Sequence, residues 1–140
     1  MVLVDTNILA YLLIEDERTA RARALLEIDP DWHSESLIIV ELLNVLATNM
    51  RVRRLSLRAA MAILEDAQAV MESGLHLANH AGVLALAAQL KVSAYDARFL
   101  SIARDLGVPL VTEDAKLRRA APALTRSLAD ALGYSRTPAA

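Results

Sequence analysis

The chain has 140 residues, enough for one compact domain with a sizeable core. Hydrophobic residues make up 55% of it and aromatic residues only 4%, so we expect an aliphatic core, with apolar surface left over for self-association. The net charge of −2 argues against a protein that coats nucleic acid. The absence of cysteine excludes disulfides, thiolate zinc sites and cysteine nucleophiles, and leaves oxygen-bound hard cations as the expected metals.

Short apolar runs alternate with segments of helical periodicity along the chain. The predicted strands are Met1–Val4, Asp31–His33, Gly74–Leu77, Val108–Thr112 and Leu124–Ser127. The predicted helices are Ile8–Ile14, Arg18–Ile28, Ser36–Met50, Ser56–Met71, His80–Leu90, Ser93–Leu106 and Asp114–Ala121. This order predicts one α/β domain over residues 1–128, with a central parallel sheet of four or five strands flanked by helices, and a C-terminal tail over residues 129–140.

The N-terminal apolar run differs from a signal peptide. It is interrupted at once by Asp5 and no basic region precedes it. No stretch of the sequence approaches membrane-spanning length. We therefore expect a cytoplasmic protein that makes no membrane contact.

Acidic residues follow two of the predicted strands. Asp5 ends the first strand, and Asp114 comes shortly after the strand that contains Leu110 and Val111. Ligands of an open parallel sheet gather at the carboxyl ends of its strands. Asp96, at the start of a predicted helix, is a further candidate.

Glu41 interrupts a helix that is apolar nearly all round and is therefore expected to be buried. An unpaired buried carboxylate costs on the order of several kcal/mol. Asn44 and Thr48 share its helical face, and no Lys or Arg lies within one turn on either side. An external cation would compensate the charge.

Each acid also has a purely structural interpretation. Asp5 and Asp114 can cap the helices that follow them, and Ser93 with Asp96 has the spacing of a capping box. Glu41 can be a buried, hydrogen-bonded carboxylate. These interpretations stay open for each residue taken alone.

Four motifs occur in order along the chain. They are Val4-Asp5-Thr6-Asn7, Glu41-Leu42-Leu43-Asn44-Val45-Leu46, Tyr95-Asp96-Ala97 and Leu110-Val111-Thr112-Glu113-Asp114. In this order and at these separations they resemble the motifs of PIN-domain nucleases, in particular the VapC-type toxins of bacterial toxin–antitoxin pairs. The resemblance extends over about residues 1–128.

The resemblance implies a site and an activity. It assigns Asp5, Glu41, Asp96 and Asp114 as metal ligands or second-sphere acids, with Asn7 and Thr112 as supporting polar residues. It further implies Mg²⁺- or Mn²⁺-dependent cleavage of RNA and inhibition by a cognate antitoxin. Glu113 is an extra acid that the motif does not require, and we expect it to point away from the others.

Basic residues near these motifs are candidates for phosphate contacts. They are Arg51, Arg53, Arg54 and Arg58 between two helices, Lys116, Arg118 and Arg119 after Asp114, and Arg98 after Asp96. Each group can equally be a solvated helix face.

Two other functions compete with an endoribonuclease. One is a non-catalytic PIN-like binding module that acts through an antitoxin complex. The other is an aspartyl-nucleophile phosphatase, which usually needs a second Asp where this chain has Asn7. Because all four acids are present, the sequence favours the nuclease, with a homodimer as the expected oligomer.

Overall fold

The central sheet is built from five short, mostly buried strands. The structure, a computed structural model, describes residues 1–133. Its strands are β1 (Val2–Val4), β2 (Trp32–Glu35), β3 (Leu75–His76), β4 (Leu110–Val111) and β5 (Thr125–Arg126). The strands lie in the order β3-β2-β1-β4-β5, and every neighbouring pair is parallel.

Eight helices flank the sheet within the described residues. They are α1 (Thr6–Leu13), α2 (Thr19–Ile28), α3 (Leu37–Arg51), α4 (Leu57–Val70), α5 (His80–Leu90), α6 (Ala94–Leu106), α7 (Ala115–Ala120) and α8 (Leu128–Ala131). Helices α1 to α4 pack among themselves, and α5 packs on α6. None of the helices in residues 1–133 is long and apolar enough to cross a bilayer. The predicted α/β fold with a parallel sheet is confirmed.

The strand order places a crevice beside β1. The chain adds β2 and β3 on one side of β1 and then crosses over to add β4 and β5 on the other. Such a reversal of direction leaves an opening at the carboxyl ends of the strands that flank it, here β1 and β4. Asp5 follows β1 directly, and Thr112 follows β4.

Helix α1 begins two residues before its predicted start, and α2, α3, α4, α6 and α7 each begin one residue after theirs. Asp5 accepts a hydrogen bond from the N–H of Ile8, so α1 begins at Thr6. Ser36 makes no capping bond to α3; Glu35 accepts from the N–H of Leu37 instead. Asp114 precedes α7 as its cap.

Helix α8 has no counterpart among the helices predicted from the sequence. Ser127 caps it, and the carboxylate of Glu113 accepts from the N–H of Leu128 at 2.7 Å. Leu128 is buried, and α8 packs against α2. Packed structure therefore continues across the predicted boundary at residue 128. The predicted tail from Tyr134 onward lies outside the described residues.

The composition of α3 suggested a helix buried nearly all round, but the structure buries only one of its faces. Its buried residues, Ile38, Leu42 and Leu46, form a single stripe four residues apart. On the other side, Val40 is 61% exposed and Leu43 is 45% exposed. The expectation was wrong because an apolar composition does not by itself place a packing partner on every face.

Candidate active site

The four candidate acids line one small cavity at the carboxyl edge of the sheet. The cavity has a volume of about 80 Å³. Its lining residues are Asp5, Thr6, Asn7, Glu41, Asp96, Phe99, Leu110, Asp114 and Leu117. The structure thus brings together carboxylates from the ends of β1 and β4 and from two helices, against apolar walls.

Asp5 has the most strongly perturbed carboxyl group of the four. Burial raises its pKa to about 6, and the charge of Glu41 acts in the same direction. Hydrogen bonds from Thr112 and from the N–H of Ile8 oppose the rise. Asp5 therefore both caps α1 and carries a charge that the protein disfavours.

Glu41 faces the cavity from α3. It accepts a hydrogen bond from the hydroxyl of Thr6 at 3.0 Å. Burial raises its pKa, as do the nearby charges of Asp96 and Glu35, while the Thr6 bond opposes the rise. Thr6 is therefore a site residue that the sequence analysis did not single out, although it stands inside the first motif.

Asp96 and Asp114 line the cavity from the starts of two helices, α6 capped by Ser93 and α7 capped by Asp114 itself. The hydroxyl of Ser93 accepts from the N–H of Asp96, and Asp114 accepts from the N–H of Leu117, both at 3.0 Å. Burial raises the pKa of Asp96, and the charge of Asp114 adds to the rise. The capping interpretation is realised for Asp114, whereas in the Ser93–Asp96 pair only Ser93 acts as a cap. Neither arrangement excludes a role for these carboxylates in the cavity.

The donor set suits a hard cation, although its carboxylates stand apart. All four candidate ligands are carboxylates, the donors that Mg²⁺ and Mn²⁺ prefer. Within residues 1–133 none of the four forms a salt bridge. In that same part of the chain, no three acidic or His side chains are already arranged to hold a metal.

The supporting residues also lie at the cavity. Thr112 is buried, and its hydroxyl accepts from the N–H of Asp114 at 3.1 Å while hydrogen-bonding Asp5. Asn7 lines the cavity beside Asp5. Glu113, by contrast, caps α8 and is not among the lining residues, as the sequence predicts.

The basic residues after Asp114 have different surroundings. The exposed Lys116 is close enough to Asp96 for its charge to lower the pKa of that carboxyl. Arg118 is half-buried and donates to the carbonyl of Thr112 at 2.8 Å. Lys116 therefore remains available for a phosphate, whereas Arg118 already has a backbone partner.

Of the basic residues around the end of α3, Arg54 lines a second, larger cavity. This cavity has a volume of about 450 Å³ and is lined by Asn7, Tyr11, Asn49 and Arg54 among others. Arg51 and Arg53 are exposed close by in sequence. Asn7 lines both cavities, so the two openings adjoin.

Arg98 does not fill the phosphate-binding role considered for it. Its guanidinium donates to both carboxylate oxygens of Glu35, at 2.8 and 2.9 Å. Sequence reasoning missed Glu35 because the predicted second strand ended at His33, whereas β2 runs on to Glu35. A buried acid at the end of a strand was the available signal.

A parallel α/β sheet with several carboxylates at its topological switch point defines a class of proteins with an acidic ligand-binding crevice. Within that class, the chain belongs to the PIN domain family, whose model matches residues 2–122. PIN domains are in general nucleases, typically dependent on divalent metal ions. The resemblance seen in the four motifs is thereby confirmed at the level of the family.

Solved structures share this fold. A protein from Pyrobaculum aerophilum, PAE2754, has a TM-score of 0.76 at 22% identity, covering 95% of this chain and 94% of that one. A chain of a toxin–antitoxin complex from Klebsiella pneumoniae has a TM-score of 0.63 at 21% identity, covering 90% and 97%. FitAcB from Neisseria gonorrhoeae has a TM-score of 0.67 at 18% identity, covering 91% of this chain and 96% of that one. A search of curated proteins found no match.

Proposed function

We propose that this protein is a metal-dependent endoribonuclease, the VapC-type toxin of a toxin–antitoxin pair. The observation that carries the proposal is the meeting of Asp5, Glu41, Asp96 and Asp114 at one cavity, where none of them forms a salt bridge within residues 1–133. Burial raises the pKa values of Asp5, Glu41 and Asp96, and carboxylates held beside one another are stabilised by a divalent ion.

The four carboxylates would hold Mg²⁺ or Mn²⁺. When bound, the ion can lower the pKa of a water molecule and neutralise charge on a phosphate, the two effects that phosphodiester hydrolysis needs. Thr6 and Thr112 would orient Glu41 and Asp5 through the hydrogen bonds described above. Phosphodiester hydrolysis of this kind requires no Cys, Ser or His nucleophile.

RNA would reach the acids along the larger cavity. Arg54 lines that cavity and Asn7 joins it to the acidic one. Exposed Arg51, Arg53 and Lys116 would bind phosphates on either side, which makes binding salt-sensitive. RNA as the substrate also implies action in the cytoplasm.

The partners we propose are a cognate antitoxin and a second copy of the chain. A protein with this fold is part of a toxin–antitoxin complex from Klebsiella pneumoniae, which supports the first. The exposed apolar side chains of Val40 and Leu43 support the second. Light scattering should find a dimer at micromolar concentration; a strictly monomeric protein would contradict this part of the proposal.

A non-catalytic PIN-like module that acts only in an antitoxin complex is the second candidate. The lack, within residues 1–133, of three acids already arranged around an ion favours it. In such a module the acids would serve as caps, and metal would not change what the protein does.

RNA cleavage with Mn²⁺ and with excess EDTA separates the two candidates. We expect Mn²⁺-dependent cleavage that EDTA abolishes and that Asp96→Asn abolishes as well, because a ligand is lost. Asp105→Asn, at the exposed far end of α6, is the matched control and should cleave normally. Absence of cleavage by the wild-type chain, or full cleavage by Asp96→Asn, would favour the module.

A further inference from the structure

Glu35, at the end of β2, is the most completely buried acid among the described residues, with no exposed surface. Its carboxylate accepts from the N–H of Leu37 at 2.7 Å, from the hydroxyl of Ser36 at 3.1 Å and from the N–H of Ala78 at 3.3 Å. Arg98 adds its two hydrogen bonds. One side chain therefore joins β2, the start of α3, the segment before α5, and α6.

The two helices that this side chain joins are those that carry Glu41 and Asp96. Leu37 precedes Glu41 by four residues on α3, about one helical turn. On α6, Arg98 follows Asp96 by two residues, and at about 100° per residue the two side chains leave the helix on nearly opposite sides. The pair of hydrogen bonds from Arg98 to Glu35 therefore restricts rotation of α6 about its axis, and with it the direction in which Asp96 leaves the helix.

Stability alone does not explain this ion pair. Glu35 is fully buried and the side chain of Arg98 is 26% exposed, so forming the pair carries a desolvation cost, and replacing buried pairs by apolar side chains is often neutral or stabilising. What a paired Arg and carboxylate provide is a defined geometry, because the planar guanidinium binds both oxygens at once. That geometry is needed where two ligands on separate helices must meet.

We infer that Glu35 and Arg98 are positioning residues of the acidic cavity, whose ion pair sets α3 against α6 so that Glu41 and Asp96 bind one divalent ion together. The inference rests on the proposed function, since it requires that the cavity bind metal. Neither residue lines the cavity, so neither is a ligand of the ion. They act through the helices that hold the ligands.

The test measures Mn²⁺ affinity by titration calorimetry in wild type, Arg98→Lys and Glu35→Gln, under conditions where circular dichroism shows each to be folded. Arg98→Lys keeps the charge but loses the two-point geometry. Loss of an outer-shell partner typically weakens metal binding roughly 10–100-fold, which we expect for both variants. Arg104→Lys, an exposed position on the same helix, is the matched control and should bind as wild type does.

The outcomes separate this inference from the proposed function. If a folded Arg98→Lys and Glu35→Gln bind Mn²⁺ as wild type does, the positioning role is wrong and the nuclease proposal stands. If wild type binds Mn²⁺ and the variants bind it weakly, but wild type cleaves no RNA, the positioning role stands and the nuclease proposal falls. If wild type binds no Mn²⁺, both fall. Should Glu35→Gln fail to fold, the more conservative Arg98→Lys decides.

Discussion

Glu35 and Glu41 stand six residues apart in the chain and meet opposite electrostatic surroundings. Glu35 is wholly and Glu41 partly removed from water, and burial by itself acts to raise the pKa of each. For Glu35, the bonds from Arg98 and from two backbone N–H groups outweigh burial and hold its pKa below the ordinary value. For Glu41, one threonine hydroxyl does not outweigh burial and two acidic neighbours, so its pKa is raised. The protein compensates one buried acid fully and leaves the other to an outside charge.

The largest effect should come from removing the compensation of Glu35. Arg98→Met leaves a buried carboxylate without its cation, and breaking such a pair costs about 3–5 kcal/mol. Urea unfolding in EDTA should show this loss, together with a fall of roughly 10 °C in Tm. Arg104→Met, which breaks only a surface pair, serves as the control. A loss no larger than the control's would mean that the two acids are not so different.

The next effect is on how stability depends on pH, where Asp5 and Glu35 act in opposite directions. Because the pKa of Asp5 rises from 3.8 to about 6 on folding, the folded state holds a proton more tightly than the unfolded state. The metal-free protein should therefore lose stability as pH rises from about 4 to 6, by no more than about 3 kcal/mol from this group. The stability from Glu35 runs the other way and is lost as pH falls, because its pKa is lowered.

Asp5→Asn isolates this contribution. Asn caps a helix about as well as Asp, so α1 should persist while the pH-dependent loss between 4 and 6 disappears. Denaturant unfolding at several pH values without metal measures it. Asp66→Asn, at an exposed position on α4, controls for the loss of one negative charge. If Asp5→Asn and Asp66→Asn have the same pH profile, Asp5 is not the strained acid that its burial indicates.

The sequence predicts the fold and the four acids of the cavity because both leave local signals. Hydrophobic runs and helical periodicity reveal strands and helices, and Asp5 and Asp114 follow strands in the motif order of the family. The strand end at Glu35 is a local signal, but its partner Arg98 lies 63 residues away in the chain and is not revealed by it. Helix α8 has a local cap in Ser127, but with four residues it shows no helical periodicity, and its bond to Glu113 joins residues 15 apart. Contacts of this kind exist only once the chain is folded.

The side chain of Thr112 bears on two of the cavity's acids. Its hydroxyl accepts from the N–H of Asp114 at 3.1 Å, and its single proton favours the charged form of Asp5, whose pKa it lowers. A protonated Asp5 can still accept from this hydroxyl, but less strongly than the carboxylate does. The charge of Asp5 therefore affects a hydroxyl that also holds the backbone at Asp114.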